Sequence, residues 1–307
     1  MILCCGEALI DMLPRQLPGG EEVFLPAAGG AVFNTAIALG RLGEKTGFFS
    51  GLSNDMFGEK LAAALDEAGV DHSLCIRSGK PTTLAFVTLK NGQAQYAFHD
   101  EGTAGRTLDP DDLPALPGSV RALHFGAISL ISEPCGSAYE ALAERGHEAQ
   151  IISLDPNIRP GFVSDEQTYR ARLKRMIELA DIIKVSDEDL AWLAPGRSFR
   201  EIAGEWLAAG TAVCVLTCGG EGALALTRKG EIAVPAQTAK VVDTVGAGDT
   251  FNAGLLAGLQ RAGLLSRQAL RNAGPQALES ALKLAARVAA ITVSRAGANP
   301  PWASEID

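Results

Sequence analysis

No stretch of this 307-residue chain approaches the roughly 18 consecutive apolar residues of a membrane-spanning helix. The opening, MILCCGEALIDMLPR, has no basic residue before its short apolar run and carries Glu7 and Asp11. It predicts a first β-strand, not a signal peptide, and hence a cytoplasmic protein. Basic residues are in deficit: 27 Lys and Arg stand against 36 Asp and Glu, a net charge of −9. That balance argues against nucleic acid or an anionic membrane as a partner, so an anionic substrate must meet locally placed cations. The cysteines also lack a pattern. Adjacent Cys4 and Cys5 point to opposite strand faces, and Cys214 and Cys218 have no nearby His or second Cys pair. Reduced, mostly buried thiols are expected, Cys75 and Cys135 included, in place of zinc or disulfides. His72, His99, His124 and His147 share no motif and read as ordinary core or surface residues, with His99 the most open to another role. Internal repeats and low-complexity tracts are absent.

What is present is an alternation of strand and helix patterns. Val120–Gly126, Ala149–Asp155, Asp181–Val185 and Ala212–Gly220 read as buried strands. Cys135–Gly146 and Glu166–Ala180 read as the helices between them. Buried strands alternating with helices predict an α/β fold with a mainly parallel sheet covered on both faces. Ligands gather at the carboxyl ends of such strands. Here those ends read FGAIS, DPNIR, KVSDED and TCGGEG.

Thr82–Asp100 differs. It holds two strand-like runs around Asn91-Gly92, a dipeptide suited to a type I′ hairpin turn. With Leu13–Pro26 it forms a candidate small antiparallel sheet. Two readings stand side by side: an ordinary edge hairpin, or a lid holding Phe86, Tyr96 and Phe98 over a site.

VVDTVGAGDTFNAGLLAGL (Val241–Leu259) places an acid, Asp249, among bare glycines where a helix begins. Free N–H groups at a helix start attract anions, and glycine allows close approach. A carboxylate there would repel a phosphate, but it suits a general base taking a proton from an attacking hydroxyl. The competing reading is a helix cap or dipole partner worth about 1 kcal/mol. The string is not a P-loop, since G-K-[ST] is missing, nor a full G-x-G-x-x-G.

DTVGAGDTFNAGLLAGL closely resembles the C-terminal signature of the PfkB sugar kinases, the ribokinase-like family. GGAVFNTAIALGRLG (Gly29–Gly43) resembles its N-terminal signature. GEALIDMLP, DPNIRP and RAGANPP extend the resemblance over nearly the whole chain. It implies one kinase domain over residues 1–307, with an α/β body and a β-sheet lid at about 13–26 and 82–100. It implies transfer of the γ-phosphate of ATP to a sugar hydroxymethyl group. Asp249 matches the catalytic base, and Gly246, Ala247 and Gly248 match the anion hole. Asp11, Gly29, Gly30 and Asn34 match sugar contacts, joined by Phe98 in the lid and by Asn157 and Arg159 of DPNIR. Each has a plainer alternative, such as a turn before Pro14 for Asp11 or a surface position before Pro160 for Arg159.

The resemblance also implies ATP and Mg²⁺, with Lys184, Ser186, Thr217, Gly219 and Gly222 beside the nucleotide. KVSDEDL carries Ser186 and Asp189 where the family has Asn and Glu. A water-mediated magnesium role for Asp189 therefore competes with a place on a helix face. A potassium ion is implied at Asp243, Val245, Thr292, Arg295 and Gly297, although Pro301 stands where the family often supplies a serine. GEALIDMLP, PTTLAFV and DPNIRPGF are most similar to bacterial fructokinases, which implies D-fructose as acceptor. The alternatives are 2-keto-3-deoxygluconate or another sugar or nucleoside and, from another class, a non-catalytic nucleotide or sugar sensor. Lid strands of relatives often pair between subunits, which implies a possible homodimer.

Overall fold

Strand β1 (Ile2–Cys5) shows how two cores arise from one sequence alternation. Ile2 and Cys4 enter one apolar cluster, and Leu3 and Cys5 enter another on the opposite face. The structure, a computed structural model, describes residues 1–90 and 93–306, with the side chains of 88–90 and 93–96 outside that description.

The remaining strands are β2 (Leu9–Gln16), β3 (Glu22–Gly29), β4 (Thr46–Phe49), β5 (Gly51–Ser53), β6 (Ile76–Ser78), β7 (Leu84–Lys90), β8 (Gln93–His99), β9 (Ala122–Gly126), β10 (Ile151–Asp155), β11 (Ile182–Ser186), β12 (Val213–Thr217), β13 (Ala223–Thr227) and β14 (Gly230–Val234). The helices are α1 (Ala31–Arg41), α2 (Met56–Glu67), α3 (Cys135–Gly146), α4 (Glu166–Leu179), α5 (Asp187–Leu193), α6 (Phe199–Ala209), α7 (Ala247–Arg261), α8 (Arg267–Arg271) and α9 (Pro275–Val293). No helix among the described residues is long and apolar enough to cross a membrane.

Eight strands form one sheet in the order β14-β13-β12-β11-β10-β9-β1-β4. Pairing is parallel from β4 to β12 and antiparallel from β12 to β14. Helices α1, α2, α7 and α9 cover the face that receives Ile2, and α3, α4 and α6 cover the other. The expected strands and helices are all present, within a few residues at their ends. His124 lies buried in β9, where burial and the nearby Lys184 charge push its pKa down to about 3. Its Nδ1 lies 3.1 Å from Ser153 Oγ.

A second sheet runs β3-β2-β7-β8 and is mixed, not wholly antiparallel as expected, because the two hairpins join through parallel pairing of β2 with β7. It is longer at its base than the sequence suggests: Asp11 and Gly29 belong to its strands. Pro14 is tolerated inside β2 for a clear reason. Ile10 N–H points toward Thr83 O, and β7 pairing ends at Met12, so the N–H that Pro14 lacks would face no partner. The Asn91-Gly92 turn expected between β7 and β8 and the Tyr96 side chain lie outside the described residues. The two strands pair antiparallel on either side of it.

Helices α7 and α9 approach unusually closely because glycine lines the contact. A Cβ on Gly254 would fall 2.6 Å from Ala285 Cα, and one on Gly258 would fall 2.6 Å from Ala281 Cα. Both obstacles are backbone and cannot swing aside. Gly254→Ala should therefore destabilise the protein by about 1–3 kcal/mol despite its better helix propensity. Chemical denaturation reads this directly, and a stabilised variant would contradict the packing argument.

Candidate active site

Helix α7 begins without a side-chain cap. Gly246 precedes it with φ +77°, a left-handed conformation that favours glycine, and a Cβ there would fall 2.6 Å from Ala298 Cβ. The N–H groups of Gly248 and Asp249 consequently have no acceptor among the described residues. Together with the helix dipole they form an anion-binding end. A Cβ on Gly248 would lie 3.1 Å from Lys184 Nζ, so a cation sits against the same turn.

Asp249 is buried in that first turn but does not cap it. Asn34 Nδ2, from α1, donates to Asp249 Oδ2 at 2.9 Å. Asn157 Nδ2 approaches Oδ1 at 3.4 Å. Thr35 Oγ1 donates to the Asp249 carbonyl at 3.1 Å, which locks α1 to α7. Burial pushes the Asp249 carboxyl up to about 6, with the Asp155 charge adding to it. The Asn34 hydrogen bond and the Lys184 and Arg159 charges oppose that rise.

Each of these amides is placed by a special backbone. Asn157 follows β10 with φ +41°, strained for a non-glycine residue by about 1–3 kcal/mol. Asn34 stands one turn into α1, whose N-cap is Gly30 at φ +111°. A Cβ on Gly30 would fall 2.7 Å from Glu7 O. Glu7 Oε1 replaces the missing cap, accepting from Ala31 N–H at 2.7 Å. Burial raises the Glu7 carboxyl to about 7 against those backbone donors, and its Oε2 is buried without a partner among the described residues.

The small sheet closes another side. Asp11 pairs with Ala85, and Ala85 pairs with Phe98, so the three form one row across the sheet. Asp11 is half-buried and its carboxyl is raised to about 6 by desolvation. Gly29 lies against it, since a Cβ there would fall 2.3 Å from Asp11 Oδ2. The Phe98 ring meets Phe162, after DPNIR, edge-on at 3.9 Å between centroids. Arg159 is exposed, bonded only to the carbonyls of Asn157 and Ile158, and has no carboxylate partner among the described residues.

The expected nucleotide residues gather at neighbouring strand ends. Ser186 and Thr217 are paired in register at the ends of β11 and β12. Gly219 and Gly222 shape the turn that follows, with φ +49° and +104°. Asp189, however, is buried and committed to local donors. Its Oδ1 accepts from Ile158 N–H at 2.6 Å, and its Oδ2 accepts from Ser186 N–H at 2.9 Å and Ser186 Oγ–H at 2.7 Å. It completes a capping box on α5 and does not lie on an exposed helix face.

The expected potassium residues are brought together in part. Asp243 accepts from Val245 N–H at 3.0 Å and from Gly297 N–H at 2.9 Å, which joins the two loops beside Gly246. Thr292 is buried, and its carbonyl accepts from Arg295 N–H at 3.0 Å. The Arg295 guanidinium turns away to Glu305. Carbonyl and carboxylate oxygens are the donor class a hard cation takes, although Pro301 adds no side-chain oxygen. Among the described residues no three His, Cys, Asp or Glu side chains converge on a metal-sized point. Magnesium that arrives on nucleotide phosphates and keeps its waters needs no such cage.

Three residues outside the sequence-derived set belong to this site: Asp155, Asn252 and Phe162. Asp155 opens the DPNIR motif, Phe162 follows it and Asn252 lies within the α7 signature, but their roles depend on contacts between distant segments.

The family model described as pfkB family carbohydrate kinase matches residues 1–305. The chain is 54% identical over 280 residues to a fructokinase of Rhizobium leguminosarum bv. trifolii, covering 91% of this chain and 86% of that protein. The crystal structure of fructokinase with bound ATP from Xylella fastidiosa is similar with a TM-score of 0.90 at 30% identity, over 99% of this chain and 96% of that one. Fructokinase from Vibrio cholerae O395, in a fructose-, ADP- and calcium-bound form, gives a TM-score of 0.84 at 28% identity, over 97% of this chain and 94% of that one.

The electrostatics make a direct prediction. Asn34 stabilises the charged form of Asp249, so Asn34→Ala should move the Asp249 titration above about 6. Carbon-detected NMR titration of the labelled carboxyl measures it, and a downward shift would show that Asn34 does not favour the carboxylate.

Proposed function

The chain belongs to the pfkB family of carbohydrate kinases, and we propose that it is an ATP-dependent fructokinase, converting D-fructose to fructose 6-phosphate, with Asp249 as general base. One observation carries the reading: a buried carboxylate, with an amide at each oxygen, stands beside an uncapped helix N-terminus. The sugar 6-hydroxyl gives its proton to Asp249 as its oxygen bonds to the γ-phosphorus. The bond from that phosphorus to the β-bridging oxygen breaks, and the electron pair leaves with ADP. The Gly246–Gly248 turn faces the phosphate charge with the free Gly248 N–H, continued by that of Asp249, with Lys184 behind Gly248 and Arg159 open to the transferred group. Phosphoryl transfer depends mainly on such positioning and charge stabilisation. Magnesium brought with ATP would neutralise phosphate charge. The donor set of the two joined loops supports a potassium site of mainly backbone carbonyls at Asp243, Val245, Thr292, Arg295 and Gly297.

Asp11 and Asn34 hold the sugar hydroxyls, Gly29 and Gly30 admit the ring, and Phe98 covers it as part of a lid. A neutral sugar is favoured over 2-keto-3-deoxygluconate by the pairing of the lid's nearest cation. Arg106 Nη1 donates to Asp100 Oδ1 at 2.8 Å, which leaves its charge neutralised and less able to meet a substrate carboxylate. A sensor without catalysis has no need of a base so held. All six cysteines are free, in keeping with a reducing cytoplasm.

ADP release across a sugar panel tests the reading. Fructose should be the best acceptor; no sugar-dependent release sinks the kinase assignment, and preference for 2-keto-3-deoxygluconate sinks the fructose one. In the same assay Asp249→Asn should lose about 10²–10⁴-fold in kcat while still binding nucleotide. Activity of the parent should fall as pH drops through about 6, where Asp249 gains its proton.

The edge strand β3 exposes Phe24 and Leu25, 45% and 51% accessible. We propose that this edge pairs two subunits. Sedimentation should give a dimer, and Phe24→Lys should dissociate it; a monomeric parent at working concentration refutes the pairing.

A further inference from the structure

Asp155 ends β10 and is 3% exposed. Its Oδ2 accepts from Asn252 Nδ2 at 2.6 Å and from Lys184 Nζ at 3.1 Å. Lys184 comes from β11 and Asn252 from α7, so one carboxylate oxygen joins three elements. Its Oδ1 is buried with no partner among the described residues. Asp155 lines a small cavity together with Asn157, Asp249, Asn252, Thr35 and His124. Burial alone would lower the Lys184 pKa, yet the Asp155, Asp189 and Asp249 charges hold the ammonium above its usual value. The Lys184 side chain lies against the Gly248 backbone.

A buried ion pair with an unsatisfied oxygen is weak evidence for stability, since well-packed apolar residues often replace such pairs at no loss. Unsatisfied buried oxygens call for a particular explanation. Here the pair adjoins the anion-binding turn. We propose that Asp155 is a positioning residue for phosphoryl transfer: it fixes Lys184 under Gly248 and ties that cation to Asn252, so that one buried network sets both the anion-binding turn and the base. This rests on the kinase reading above. Asp155 acts through Lys184 and need not touch substrate. Without the carboxylate, the ammonium has no anchor and its charge is no longer held at the turn.

Asp155→Asn keeps the volume and an acceptor for Asn252 but removes the charge. It should lower kcat by about 100-fold, the scale of one lost preorganised donor, while the sugar KM stays within about threefold. Lys184→Met should lose a similar factor. The double variant should be no slower than Lys184→Met alone, because both changes remove one coupled unit. Melting temperatures show whether each variant is folded. An Asp155→Asn enzyme within about twofold of the parent overturns the proposal, as do losses that multiply in full in the double variant. If Asp155→Asn does not fold, Lys184→Met decides, and parent-like kcat in that variant overturns the proposal. A parent with no sugar-dependent ADP release removes the kinase reading and this inference with it. An active parent with an indifferent Asp155→Asn removes the inference alone.

Discussion

The first turn of α7 must stay uncapped, and much of the surrounding structure follows from that constraint. Most helices satisfy their leading N–H groups with a Ser, Thr, Asp or Asn side chain. Helix α7 has an acid in its first turn, yet Asp249 spends neither oxygen on those groups. Its oxygens instead meet amides from α1 and from the loop after β10. Both of those segments are held in unusual backbone conformations, at Gly30 and Asn157. The left-handed turn at Gly246 then brings the C-terminal loop into contact through Ala298. One helix end thus organises three distant parts of the chain.

Electrostatically, the arrangement works against folding. Glu7, Asp11 and Asp249 all have carboxyls raised by burial, to about 7, 6 and 6. A raised carboxyl contributes stability that is complete below its unfolded pKa, near 4, and is lost as pH rises through the folded value. The proposed base, Asp249, therefore ionises over the same pH range in which the fold gives up stability. The α7–α9 contact at Gly254 and Gly258 and the two cores of the large sheet must supply the difference. Burial elsewhere is the condition for an uncomfortable site.

How far the sequence reaches can be argued from particular residues. The β–α alternation was legible because buried parallel strands leave short apolar runs between amphipathic helices. Asp249 was legible only with its glycines and the distant Asn34, since alone it reads as a cap. The base of the small sheet was misplaced because Pro14 looks like a strand end, and only its unpaired side reveals otherwise. Asp189 looked like a residue on a helix face or near magnesium. Its capping box with Ser186 is local to the S-x-x-D spacing, but the Ile158 N–H it accepts depends on a loop 31 residues earlier coming into contact. Asp155 stood inside a quoted motif, but nothing local to DPNIR says that its carboxylate meets residues on β11 and α7.

An acid inside an anion site looks self-defeating until the two roles are separated in space. In the proposed reaction, phosphate charge is met by N–H groups along the axis of α7 and by Lys184, which lies behind Gly248. The Asp249 carboxylate is instead held by the Asn34 and Asn157 side-chain amides. Lys184 serves both sides, since its charge favours the Asp249 carboxylate and the approaching phosphate alike. A cation in that position would be hard to keep charged in a buried site without Asp155. The countercharge, one strand away and bonded to α7 through Asn252, lets a net-acidic protein hold a fixed positive group where an anion must arrive.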